Sequence, residues 1–137
     1  MANYFLAKTE PSVYSIDNLQ KDKRTKWDGV KNPQALQAIR SMTPGDRVFI
    51  YHSGGVSSIV GLAEVSSAPT PDPADPKLTV VGISYVCHLD PPTSLAEIKG
   101  CQLFSDWSLV RQSRLSTMAA PEPFVDWMRG RYPDSKI

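Results

Sequence analysis

The sequence predicts a small α+β domain built on a curled, mostly antiparallel β-sheet or barrel of five or more strands, flanked by short helices. Three observations predict it. Short runs of alternating or continuous apolar residues recur along the chain at strand length. Well-capped helix starts at Ser15, Asn32-Pro33 and Ser94 interrupt them. Turn residues, among them 12 prolines and 8 glycines, join the pieces. A chain of 137 residues suits one domain over residues 1–137, because a single core at this size buries about two-thirds of the unfolded surface.

The elements follow in order. Tyr4 to Thr9 is apolar and partly aromatic, and reads as a strand ending at Glu10-Pro11. Ser15 caps a short helix with Ile16 and Leu19 on one face. Gln20 to Lys26 reads as a charged, solvated loop. Asn32 caps a second helix with Pro33 in its first position, and Leu36, Ile39 and Met42 face the core. After Pro44-Gly45-Asp46, Arg47 to His52 forms a strand with Val48 and Ile50 on one face and Phe49 and Tyr51 on the other. Ser53-Gly54-Gly55 turns the chain into a returning strand from Ile59 to Val65.

Ser66 to Lys77 gathers Pro69, Pro71, Pro73 and Pro76 and reads as a surface loop. Leu78 to Leu89 is a long strand. Ser94 and Glu97 form a capping box for a helix closed by Gly100. Leu109 to Ser116 reads as a strand bearing Arg111 and Arg114, and Pro121 opens a last helix with Phe124, Trp127 and Met128.

Composition narrows the function classes. The formal net charge is +1, whereas proteins that track nucleic acid non-specifically are far more basic. A nucleic-acid site here is therefore local. Cys87 and Cys101 lack metal or redox spacing and suit a reduced, cytoplasmic protein. The opening residues have neither a basic n-region nor a long apolar run, so no signal peptide or membrane span is expected. No cofactor or metal is expected, since no ligand cluster is visible. His52 and His88 have no recognisable nucleophile or carboxylate motif beside them.

Three segments mix aromatic or cationic side chains with small polar groups: Trp27-Asp28-Gly29-Val30-Lys31-Asn32, Tyr51-His52-Ser53 and Leu109 to Ser116. Such a mix suits a flat, polar, anionic ligand. Asp28 either caps a turn into Gly29 or accepts from a base amine. Arg111 and Arg114 lie three apart and point to opposite faces of a regular strand, so one pairs internally and the other faces a phosphate. Trp107 and Trp127 read as core.

Lys8-Thr9-Glu10-Pro11, the Trp27 to Asn32 segment with Gln34-Ala35, Gly45-Asp46, Tyr51-His52-Ser53, Val60 to Val65 and Leu109 to Ser116 occur in one order along the chain. In that order and rough spacing the sequence resembles EVE domains, over nearly its whole length. It departs from the usual pattern at Pro33, where relatives commonly have Tyr, and at Leu36, where they commonly have Arg. The resemblance implies a PUA-like barrel, similar to YTH and ASCH domains, that binds a modified base of DNA or RNA in an aromatic-walled pocket without catalysis. Carried onto this chain, Thr9, Trp27, Asp28, Asn32, Tyr51 and Ser53 form the base pocket, and Lys8, Lys31, Arg111 and Arg114 contact phosphate. The expected partner is a flipped or single-stranded modified base, and the expected state is a monomer. Two other classes compete. An ASCH-like amidohydrolase of modified cytidine would use Lys8, Thr9 and Glu10, although strand alternation turns Thr9 away from its neighbours. A protein-interaction module would show an exposed apolar patch.

Overall fold

The structure is a computed structural model that describes residues 3–54 and 56–137. Met1, Ala2 and Gly55, which the sequence reading assigns to the start of the domain and to one turn, lie outside the described residues. Among the described residues six strands form one mixed sheet: β1 (Tyr4–Thr9), β2 (Arg24–Trp27), β3 (Arg47–His52), β4 (Ser58–Pro71), β5 (Thr79–Ser94) and β6 (Thr117–Ala119). Their order across the sheet is β2-β5-β4-β3-β1-β6. β1 and β3 pair in parallel, and the other neighbours among the described residues are antiparallel. Five helices among the described residues flank the sheet: α1 (Ile16–Asp22), α2 (Pro33–Arg40), α3 (Leu95–Gly100), α4 (Ser108–Arg111) and α5 (Glu122–Arg131). The fold is the expected α+β, PUA-like one, with the sheet curled but not closed.

The curl has local causes. β4 and β5 are 14 and 16 residues long, and their register shifts four times between Ile59 and Thr70. Each shift bends the ribbon and raises its twist. Pro69 falls inside the last of these breaks, at the kind of irregularity to which proline is confined within sheets. β4 therefore runs on through Pro71, and the expected proline loop shrinks to the tip. There Asp72 and Asp75 side chains accept from the backbone N–H groups of Ala74 and Lys77. One buried cluster joins the elements, from Phe5 and Leu6 on β1 through Ile39 on α2 and Phe49 on β3 to Phe124 and Met128 on α5. Phe124 stacks against Trp107, with Phe104 and Trp127 also packed on it.

The capped helices form where the cap chemistry places them. Ser15 accepts from Asn18 N–H in a capping box, Asn32 Oδ1 accepts from Gln34 and Ala35 N–H, and Ser94 pairs with Glu97. Two expectations are corrected. Gln20 to Lys26 is not a loop: α1 continues to Asp22, and Arg24–Trp27 is the edge strand β2. Its polar alternation is that of an edge blunted by Lys and Arg, which reads like a loop. Leu109 to Ser116 is not a strand. Trp107 N-caps the short α4, and residues 111–114 are all exposed, so nothing there alternates into the core. Trp107 is fixed instead by its indole N–H, which donates to Ala119 O at 2.9 Å.

Candidate nucleic-acid site in the open seam of the sheet

β1 and β2 are separated by three strands, about 19 Å in a flat sheet at roughly 4.8 Å per strand. Yet residues of both line one cavity of about 480 Å³. The curl brings the edge strand β2 around to the C-terminal end of β1, and the cavity occupies the seam where the barrel stays open. Its walls are Lys8 and Thr9 at the end of β1, Ser116 just before β6, and Thr25 to Lys31 on and after β2, with Val13 and Tyr14 ahead of α1. The volume falls within the range of small-ligand sites.

Each wall is built locally. Trp27 pairs with Val81, and Thr25 with Ile83, both buried residues of β5. One side of the indole therefore packs on the core while the rest lines the cavity, and Trp27 is half-buried. Gly29, at φ 73°, turns the chain out of β2 in a backbone conformation that favours glycine. Lys8 faces Tyr51 across the parallel β1–β3 pair. Its ammonium lies 5.5 Å from the Tyr51 ring centre and donates to Ser113 O at 3.1 Å. Burial pulls this ammonium below the ordinary lysine range. Thr9 Oγ1 donates to Tyr14 O at 2.8 Å, which holds the Val13-Tyr14 wall in place. The Tyr14 hydroxyl is pushed above the usual tyrosine range by burial, reinforced by its bond to Asp22.

The structure gathers Lys8, Thr9, Trp27, Asp28 and Lys31 into this lining and leaves the other expected residues outside it. Asn32 spends its side chain on the α2 cap. Tyr51 is buried, because β3 lies between β1 and β4, and it serves as the platform under Lys8. Ser53 donates from its backbone N–H to Thr9 O, behind the wall. Arg111 pairs with Asp106 at 2.8 Å, and Arg114 sits exposed on the loop that follows. The Leu109 to Ser116 segment reaches the site through Ser113 O and Ser116 instead of its arginines. Sequence reasoning missed Val13, Tyr14, Thr25, Lys26 and Ser116. Once Arg24–Trp27 is recognised as an edge strand, its residues Thr25 and Lys26 follow; Ser116 and Tyr14 have no local signal.

Both histidines of the chain line a different depression, of about 590 Å³, between α1 and β5. His52 Nε2 accepts from Ile16 N–H at 3.0 Å and so satisfies a free amide of the first turn of α1. His88 donates from Nε2 to Asp17 at 2.6 Å, and its Nδ1 is hydrogen-bonded to the Tyr85 hydroxyl at 2.7 Å. These bonds pin α1, and with it one wall of the seam cavity, to the sheet. A third, more apolar groove of about 610 Å³ is lined by Leu103, Phe104, Trp107, Pro121 and Pro123. Among the described residues no group of three or more His, Cys, Asp or Glu is arranged for a metal. No helix among them is long and apolar enough to cross a membrane, and Cys87 and Cys101 are free thiols.

The family model described as EVE domain matches residues 3–130. Thymocyte nuclear protein 1 of Rattus norvegicus is 31% identical over 72% of this chain and 56% of that protein. The chain thus spans about half the length of that relative. A solved structure from Rhodopseudomonas palustris is 35% identical, with a TM-score of 0.87 over 92% of this chain and 90% of that one. Human THYN1 protein, solved in complex with 5-methylcytosine-containing DNA, shares the fold at 24% identity, with a TM-score of 0.86 over 95% of this chain and 97% of that one.

Proposed function

The chain belongs to the EVE domain family, and from that premise we propose that it is a single-domain, monomeric, non-catalytic module that holds one modified base of DNA in the seam cavity. The observation that carries the reading is the half-buried Trp27 at the wall of a base-sized cavity whose other walls are polar and cationic. A flipped or single-stranded base stacks on the exposed part of the indole. Thr9, Thr25 and Ser116 hydroxyls and the Asp28 carboxylate read its edge. Lys26 and Lys31, both exposed at the rim, meet the flanking phosphates. The 5-methylcytosine-containing DNA bound by human THYN1 supports a methylated cytosine as the first ligand to test. The free thiols fit a cytoplasmic setting.

Trp27→Ala tests this. Stacking is worth roughly 1–3 kcal/mol per base, so the variant loses about 5- to 150-fold in affinity for a short 5-methylcytosine oligonucleotide, read by fluorescence anisotropy. Its thermal unfolding stays cooperative. Undiminished binding would sink the stacking role, and an RNA arm of the same sequence shows whether the sugar matters. The amidohydrolase alternative has Lys8 and Thr9 in the lining, but Glu10 lies outside it. Release of an acyl group from a modified cytidine, lost in Lys8→Ala, would favour that alternative.

A further inference from the structure

We infer that Lys8 makes the seam cavity selective for a base whose inward edge carries a negatively charged substituent, a carboxylate being the simplest. The inference rests on the base-binding reading above and goes beyond it by naming what the β1 wall recognises. Lys8 is half-buried, unlike Lys26 and Lys31, the other two lysines of the lining, which are exposed. Its position is set by the strand register and not by chance, because β1 and β3 pair Lys8 with Tyr51. The Tyr51 ring and Ser113 O hold the ammonium in place. Neither contact neutralises it. An ammonium has three donors, and Ser113 O takes one. All five ion pairs among the described residues use arginine or histidine as the cation, so no carboxylate is paired with Lys8.

The lining thus carries three ammonium groups against the single carboxylate of Asp28, and the least screened of the three is the one at the β1 wall. Burial disfavours the charge of Lys8. A ligand that brings negative charge to this wall relieves that penalty and accepts the free N–H donors in charge-assisted bonds. A methyl group at the same ring position does neither. A nucleotide phosphate offers the same negative charge from a different source, so the test must separate the two.

The test uses free nucleosides, which lack phosphate, with calorimetry on the whole chain. Cytidines carrying a methyl or a carboxyl group at the same ring carbon are compared, with the 5′-monophosphate of the methylated nucleoside as a third ligand. Wild type should bind the carboxyl nucleoside roughly ten-fold or more tightly than the methyl one. Lys8→Met, which keeps the stem and removes the charge, should bring that ratio to about one. Lys8→Arg should keep the wild-type ratio. If Lys8→Met does not fold, the wild-type and Lys8→Arg ratios decide. A wild-type ratio near one, or a ratio untouched by Lys8→Met, overturns the inference and leaves base binding standing. A Lys8-dependent gain for the monophosphate alone also overturns it, since Lys8 then reads phosphate. If wild type binds no nucleoside and no methylated oligonucleotide, the base-binding reading fails and takes the inference with it.

Discussion

His52 holds the first turn of α1 only while its imidazole is neutral, because an imidazolium has no lone pair to accept from Ile16 N–H. Burial keeps its pKa below the ordinary 6.5; nearby Asp17 opposes this and His88 adds to it, with Tyr85 and Asp90 lining the same depression. In the folded chain His52 therefore protonates at lower pH than in the unfolded chain. Its contribution is complete above about pH 6.5 and is lost as pH falls from there through the folded value. His52→Gln keeps an acceptor that does not titrate. The melting-temperature advantage of wild type over this variant should shrink between pH 7.5 and pH 5.5; a gap that ignores pH would refute the neutral-acceptor role. At this scale the sequence was partly legible. The Asn32 cap and Trp27 beside the Asp28-Gly29 turn announce themselves locally. The partners of His88 do not, since Asp17 lies 71 residues away and only the fold brings the two together.

Among the elements, α1 is the one whose seating most directly sets a cavity wall. It rests on β4 at Gly61, where an added Cβ would lie 2.5 Å from Ile16 Cδ1 and 2.9 Å from the backbone oxygen of Cys87. Ile16 can move, but the Cys87 carbonyl is fixed in the sheet. Gly61→Ala should lower unfolding stability by about 1–3 kcal/mol in urea and weaken ligand binding by displacing the Val13-Tyr14 wall. A variant of wild-type stability would contradict the close approach. Elements with strong caps or long apolar runs were readable in advance, as α2, β3 and α3 show. β2 and α4 were not. The polar alternation of β2 becomes a strand only through its pairing with β5, and α4 owes its place to the Trp107 anchor. Such tertiary contacts override local pattern.

The molecule as a whole curls a six-stranded sheet until β2 faces the end of β1 without pairing with it, which leaves a lined gap instead of a sealed barrel. The fold class and the near-neutral charge were readable from composition and pattern; the seam was not, because it depends on the summed twist of long, bulged strands. A net charge of +1 and a rim with Lys26 and Lys31 predict contact with only two or three phosphates. The logarithm of the affinity for duplex DNA should then fall with that of salt concentration at a slope of about −2 to −3; a slope near −8 would mean a far larger basic footprint.

The most direct test of the central claim, that the seam is where the ligand sits, is a titration of the ¹⁵N-labelled protein with a short 5-methylcytosine oligonucleotide, followed by two-dimensional NMR. The Trp27 indole N–H and the backbone amides of Lys8, Thr25, Gly29, Lys31 and Ser116 should shift together and saturate at one equivalent. The Trp107 indole and the groove around Leu103 and Phe104 should stay still. Shifts confined to that groove or to the His52–His88 depression, with the seam unchanged, would contradict the account.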